Sequence, residues 1–225
     1  IYLKYDFVNS GECGIMEQIR VLNIVDSLNK GSGVMSVIMN LYRNIDRSKV
    51  QFDFLVNFEK SPNYEEEIIG MGSEVCHMPT PGFKNIKGYV NAINDFFKIH
   101  RDYNIIHCHT PTLGIFFFRP AQKYGIKHRI AHSHSTKHSD KKLKTIRNYF
   151  LTVPLKKHAT AYFACSRKAG ELLFGKKAVQ NGMVYVLNNA IDCRSFKYNE
   201  EVRARVRNKL GITGKFVIGH VGKFV

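Results

Sequence analysis

Apolar and polar positions along the chain switch repeatedly between two periods. Residues 20–26 (RVLNIVD) are an apolar, β-branched run closed by Ser27 and the Gly31-Ser32-Gly33 break, the pattern of a buried strand. Residues 34–46 then carry Val34, Val37, Ile38, Leu41, Tyr42 and Ile45 at helical spacing. The same pair of patterns recurs. Strands are predicted at 51–56, 74–78, 104–108, 128–132, 161–164 and 184–187, and helices at 63–71, 84–100, 112–124, 140–157 and 167–174. Pro154 is expected to bend or break the helix at 140–157. Strands separated by helices of about ten residues or more are βαβ units. The predicted fold is α/β, a Rossmann-like, mainly parallel sheet with helices on both faces.

After Leu187 the texture changes. Asn188 to Asp192 is a polar turn, a charged helix is predicted at 200–210, and Gly214 leads into a new buried-strand pattern at 216–220 (FVIGH). Residues 1–15 show no clear period. The expected organisation is a poorly defined extension at 1–15, a Rossmann-like domain at 16–187, a hinge and helix at 188–214, and the first strand of a further, truncated domain at 215–225.

Composition narrows the class. At 44% hydrophobic the 225-residue chain is too apolar to be disordered. No apolar run approaches the roughly 18 residues of a spanning helix. Five scattered cysteines with no CxxC read as reduced thiols of a cytoplasmic chain. The net charge of +16 is unevenly placed: residues 1–100 sum to −2 and residues 101–225 to +18. Such a basic block attracts phosphate, whether in nucleic acid, a lipid headgroup or a nucleotide sugar.

In open parallel sheets ligands bind beyond the carboxyl ends of the strands. There the first strand leads to Gly31, Ser32 and Gly33 opening a helix, whose free N–H groups suit a phosphate or sugar. The loop is not GxGxxG, and a nicotinamide-cofactor fingerprint is unsupported. The strand at 104–108 ends in His107-Cys108-His109, and the strand at 128–132 ends in His132-Ser133-His134. Alternate residues of a strand share a face, so each pair points one way. HxH pairs raise a metal reading, but no Asp, Glu or Cys sits at a usual ligand spacing. No metal is expected, and the four imidazoles read as a site for polar substrate groups. GxSxG, the P-loop pattern and a flanking carboxylate pair are all absent.

Six stretches taken together resemble the N-terminal half of retaining GT-B glycosyltransferases of the family 4 type, especially capsular and exopolysaccharide transferases. They are residues 20–46 (RVLNIVDSLNKGSGVMSVIMNLYRNID), 103–114 (YNIIHCHTPTLG), 129–136 (RIAHSHST), 162–175 (YFACSRKAGELLFG), 186–196 (VLNNAIDCRSF) and 217–224 (VIGHVGKF). The resemblance implies an acceptor-receiving domain facing a second domain that binds a nucleotide-sugar donor, the donor being UDP-linked. It places Gly31 and Gly33 near the donor diphosphate and transferred sugar, with Val34 and Met35 where an acidic residue is frequent. It gives His134 the position whose imidazole contacts the donor sugar and His109 a site-lining position. His107, His132 and Ser166 join the substrate-binding candidates. Gly222 and Lys223 match the first donor-phosphate loop, where Lys stands for the usual Arg and keeps the charge without the bidentate fork. The resemblance requires no metal, no cofactor and no protein nucleophile. It also implies that the 225 residues alone are catalytically incompetent.

The basic helix fits the same picture. Lys141, Lys142, Lys144, Arg147, Lys156 and Lys157 are interleaved with Leu143, Ile146, Tyr149, Phe150, Leu151 and Leu155, the pattern of an interfacial amphipathic helix. The six cations and Phe150 are the expected contacts to an anionic membrane surface. The expected function is transfer of a sugar to a lipid-linked or saccharide acceptor in surface polysaccharide synthesis, peripheral on the inner face of the cytoplasmic membrane. A basic nucleic-acid-binding module and a non-catalytic partner of a separate donor-domain chain are the alternatives. The first half's negative charge and the lack of a helix-turn-helix or RNP pattern argue against nucleic acid as a partner.

Overall fold

The computed structural model describes residues 18–58, 61–82, 85–137 and 141–220. The apolar runs become strands of one sheet: β1 (Ile19–Val25), β2 (Val50–Val56), β3 (Val75–His77), β4 (Ile105–Cys108), β5 (His128–Ser133), β6 (Ala161–Ala164) and β7 (Val184–Val186). All pair in parallel, in the order β3-β2-β1-β4-β5-β6-β7. The connecting helices are α1 (Gly33–Asn44), α2 (Glu65–Gly70), α3 (Ile86–Ile99), α4 (Gly114–Lys123), α5 (Lys142–His158), α6 (Arg167–Phe174) and α7 (Lys176–Gln180). The expected α/β, Rossmann-like, parallel architecture is the one observed.

Strand alternation sorts the core into two layers. On one face Leu22, Ile24, Ile106, Cys108, Ala131 and Ala164 pack with Tyr89, Ile93 and Phe97 of α3, Phe117 and Phe118 of α4, and Leu173 of α6. On the other, Val21, Phe52, Phe54, Ile105, Ile130 and Phe163 pack with Met35, Ile38, Met39 and Tyr42 of α1 and Ile68 of α2. Asn23, His107 and His132 have the parity of this second face, so polar groups interrupt an otherwise apolar layer. Burial of the aromatic and aliphatic side chains supplies most of the driving force, at about 1.5–3 kcal/mol for each large one fully buried.

Three local expectations need correction. Of the bend or break expected at Pro154, the break does not occur: α5 runs from Lys142 to His158 with Pro154 inside it. Proline removes one hydrogen bond to the preceding turn, but the next residue, Leu155, is fully buried against α4 and locks the last turns in place. A Cβ at Gly114 would stand 2.4 Å from Leu155 Cδ1, which shows how closely the two helices approach. The short α7 was not predicted. Gly175 adopts φ +95°, ending α6 and starting α7 in one residue, a conformation that favours glycine. Finally, residues 216–220 form no strand: Phe216 is 92% and Ile218 87% exposed, and no neighbouring strand among the described residues offers a ladder.

The chain separates into two compact units, Ile1–Ala190 and Ile191–Val225. The second unit contains a 3₁₀ turn (Cys193–Phe196) and α8 (Glu200–Lys209). Asn199 caps α8 by accepting from the Val202 N–H at 2.9 Å, with Glu200 and Glu201 in the first turn and Arg207 and Lys209 in the last. The extension at 1–15 and the loop residues Gly222 and Lys223 lie outside the described residues.

Candidate functional site

The strand order reverses between β1 and β4, so the crevice lies at their carboxyl ends. Two chain segments meet there. From β1 comes the glycine loop, in which the Asn29 Oδ1 accepts from the Gly31 N–H at 2.8 Å and the Asn29 carbonyl from the Ser32 N–H at 3.0 Å. Ser32 caps α1, its Oγ accepting from the Met35 N–H at 3.4 Å. A Cβ at Gly31 would press on Asn29 Oδ1 at 2.9 Å, whereas one at Gly33 would meet nothing within 4 Å. A side chain at Gly31 would displace the Asn29 amide that holds the turn, and Gly33 leaves its backbone open at the start of a helix, where unpaired N–H groups gather.

From β4 comes His109, whose backbone N–H extends the ladder to the Ile24 carbonyl at 2.9 Å. His109, Thr110, Ser32, Val34, Met35, Val25, Asp26 and Ser27 line one small cleft of about 60 Å³. The glycine-loop cap and the second histidine of the first HxH pair therefore face one opening. Asp26 and Thr110 were missed as site-lining residues. Their only sequence signal was position, just past a strand end.

The four histidines converge as strand alternation requires. His107 and His132 are parallel at a ring separation of 5.1 Å, with His107 Nε2 and His132 Nδ1 at 3.0 Å. His109 Nδ1 and His134 Nε2 are 2.8 Å apart, and the His132 and His134 rings stack at 3.9 Å. His109 Nε2 reaches Asn23 Oδ1 on β1 at 3.2 Å. His107, His109 and His132 are buried, and Phe163 closes the apolar side edge-on to His107 and His132.

Burial holds the cluster neutral. It pulls His107 down to about 3 and His134 to about 4, the former helped by the neighbouring His134. Burial, with repulsion from the other imidazoles, pushes His109 and His132 well below the ordinary histidine value too. At neutral pH the site thus presents hydrogen-bond donors and acceptors rather than positive charge. His107, His109 and His132 bring one ring nitrogen each within 4.8 Å of one another, a spacing a cation could use. A cation there would compete with the imidazole–imidazole bonds of His107 and His109, whereas His132 Nε2 is buried without a hydrogen-bond partner among the described residues.

The remaining candidates lie elsewhere. Ser166 is the N-cap of α6, its Oγ accepting from the Ala169 N–H at 3.2 Å, and it is not among the residues lining the cleft. The membrane candidates lie on α5 and at its N-cap, Lys141. There Leu143, Ile146, Tyr149, Phe150 and Val153 are exposed while Asn148, Thr152 and Leu155 are buried. Among the described residues no helix is long and apolar enough to cross a membrane.

Comparison with known proteins bears on the family and the fold. Residues 31–195 match the sequence profile described as Glycosyltransferase Family 4. A curated relative from Bacillus subtilis (strain 168), EpsF, carries the name of a glycosyltransferase and is 33% identical over 215 residues, 92% of this chain and 54% of its own. The chain thus spans about half the length of the curated relative it matches. Among solved structures, Anabaena HepE in complex with UDP and glucose superposes with a TM-score of 0.69 at 16% identity, over 92% of this chain and 54% of that one. A glycosyltransferase from Rickettsia africae gives 0.62 at 14% identity, over 88% and 50%. At these identities the likeness is one of fold.

Proposed function

The chain belongs to glycosyltransferase family 4, and on that premise we propose that it forms the acceptor-side half of an enzyme transferring a sugar from a nucleotide-sugar donor, with retention at the anomeric carbon. The observation that carries this reading is the cleft in which the α1 start and His109 meet, with His134 bonded to His109. The open backbone at Gly33 and the helix N-terminus suit a diphosphate. The neutral imidazoles suit sugar hydroxyls, to which they donate or from which they accept without ionising. HepE was solved with UDP and glucose, which supports UDP as the nucleotide.

In this reaction the bond between the anomeric carbon and the diphosphate oxygen breaks. The acceptor hydroxyl oxygen bonds to that carbon from the same face, and its proton passes to the leaving phosphate. Rate comes from positioning and from stabilising charge on the diphosphate. Because the histidines are neutral, that charge is met by helix N–H groups and by cations outside the cluster. The acceptor is a lipid-linked or saccharide hydroxyl of a surface polysaccharide, and α5 brings the protein to the inner face of the cytoplasmic membrane.

The test is sugar transfer by the full-length protein from labelled nucleotide sugars to membrane or glycan acceptors. Labelled product is expected with a UDP-sugar, and His134→Ala should lower kcat by about a hundredfold, in the range for a positioned donor or acceptor at a reacting centre. Thermal unfolding should stay within a few degrees of the parent. Absence of transfer from every nucleotide sugar, or full activity of His134→Ala, overturns the reading.

A further inference from the structure

We infer that Asn23 is a positioning residue that fixes the proton of His134 through His109, so that His134 offers the site a bare Nδ1 lone pair and selects a substrate group that donates a hydrogen bond. The argument follows the chain of contacts inward from β1. Asn23 is 1% exposed, the one amide in an otherwise apolar strand interior. Its Nδ2 faces the Val21 carbonyl at 3.4 Å, and its Oδ1 faces His109 Nε2 at 3.2 Å. Turning the amide over would set Oδ1 against the Val21 carbonyl, two acceptors with no proton between them, so this orientation is the satisfied one.

The rest follows from counting protons. A carbonyl oxygen only accepts, so His109 carries its hydrogen on Nε2. A neutral imidazole has one N–H, which leaves His109 Nδ1 as a lone pair. His134 Nε2, 2.8 Å from that lone pair, must donate to it. His134 then holds its single hydrogen on Nε2 and keeps Nδ1 bare, with no partner for Nδ1 among the described residues. The sequence separation of 86 residues between Asn23 and His109 is closed only by the β1–β4 pairing, which sets Asn23 opposite His107 in register.

A bare Nδ1 accepts and does not donate. His134 would therefore recognise a sugar or acceptor hydroxyl through that group's own hydrogen, and an analogue with fluorine or hydrogen in its place would lose the contact. This selectivity rests on the transferase reading, whereas the tautomers do not and are measured without turnover.

The experiment is long-range ¹H–¹⁵N correlation on the ¹⁵N-histidine-labelled 225-residue chain, at a pH where the cluster is neutral. The expected result is Nε2–H on both His109 and His134. Asn23→Leu removes the acceptor at similar volume and should bring the two tautomers of His109 and His134 about tenfold closer to equal population, the change that losing one net hydrogen bond of about 1.4 kcal/mol allows. Asn23→Asp retains an acceptor and should preserve Nε2–H on both rings while raising the pH at which His109 titrates, because a carboxylate favours the charged imidazole. If Asn23→Leu does not fold, Asn23→Asp still decides, since loss of the Nε2–H tautomer there overturns the inference. Nδ1–H on His134 in the parent, or unchanged tautomers in folded Asn23→Leu, also overturns it. So does displacement of the Nε2 protons by added zinc, which would make the cluster a cation site. Absence of sugar transfer by the full-length parent would overturn the transferase reading and leave the tautomer result standing.

Discussion

At the scale of single residues the site is four neutral imidazoles tied to one amide. His107 and His109, and likewise His132 and His134, were readable as pairs because a strand has a period of two. That the pairs would join, ring to ring, required β4 and β5 to be neighbours. Asn23 carried a weaker signal, one amide among apolar residues, and its partner arrives from a strand beyond three intervening helices and two strands. The cluster has a consequence for stability. Folded His107 titrates at about 3 and His134 at about 4, with His109 and His132 also lowered. Unfolded, each returns to about 6.5. Between these limits the unfolded state binds more protons, so stability rises with pH there and is lost as pH falls below about 6.5. Each buried imidazole contributes up to about 1.4 kcal/mol per pH unit across that window. Urea unfolding between about pH 7 and 5 should show this slope, and His107→Gln, which can still bond His132, should reduce it by about one proton. An unchanged slope in His107→Gln would mean that His107 is not held neutral by the fold.

Among the secondary-structure elements, the long periodic segments were legible and the junctions were not. Residues 167–174 read as a helix from their apolar spacing, and Ser166 proves to be its cap. The second short helix beyond Gly175 depends on a positive φ that no periodicity reveals. The pattern at 216–220 reads as a strand but finds no ladder, because a strand is a property of its neighbours as much as of its residues. The α6 packing makes a prediction of its own at Gly170. Replacing it with Ala should gain about 1 kcal/mol of helix propensity. The new methyl, however, would meet Val184 Cγ1 at 3.1 Å, Val179 Cγ2 at 3.2 Å and Ala164 Cβ at 3.3 Å. None of these is the end of a long side chain that can swing aside, and overpacking of this kind costs about 1–3 kcal/mol. Gly170→Ala should therefore be destabilising by about 1 kcal/mol in urea unfolding, the smaller helix term losing to the crowding. A stabilised variant would show that β7 and α7 yield more readily than their packing suggests.

For the whole molecule, two asymmetries coincide. Charge is concentrated in residues 101–225, at +18, while residues 1–100 sum to −2. Within that basic half α5 is inverted relative to an ordinary surface helix. It buries Asn148 and Thr152 beside Leu155, and exposes a stripe at Leu143, Ile146, Phe150 and Val153, with Leu143 at 83% and Phe150 at 67%. These exposed positions recur at three- and four-residue spacing, so they line one side of the helix. Lys142, Lys156 and Lys157 stand at its two ends. A solvated helix would carry its cations outward with its apolar residues turned in, and nucleic acid binding would not require the apolar stripe. An anionic lipid surface, as proposed, would account for both, since the stripe could enter the acyl boundary while lysines meet headgroups. The chain should co-sediment with vesicles containing phosphatidylglycerol and not with pure phosphatidylcholine. Lys156→Gln with Lys157→Gln should weaken binding by roughly tenfold or more, at about 1 kcal/mol per cation near the surface. Binding by the parent should fall as salt rises, because screening shortens the reach of those charges. Leu143→Glu with Phe150→Glu should abolish binding without lowering the unfolding temperature, both side chains being exposed in the folded protein. Equal sedimentation with neutral and anionic vesicles, or full retention by the Glu double variant, would remove α5 as the membrane contact and leave the charge of the second half to another polyanion.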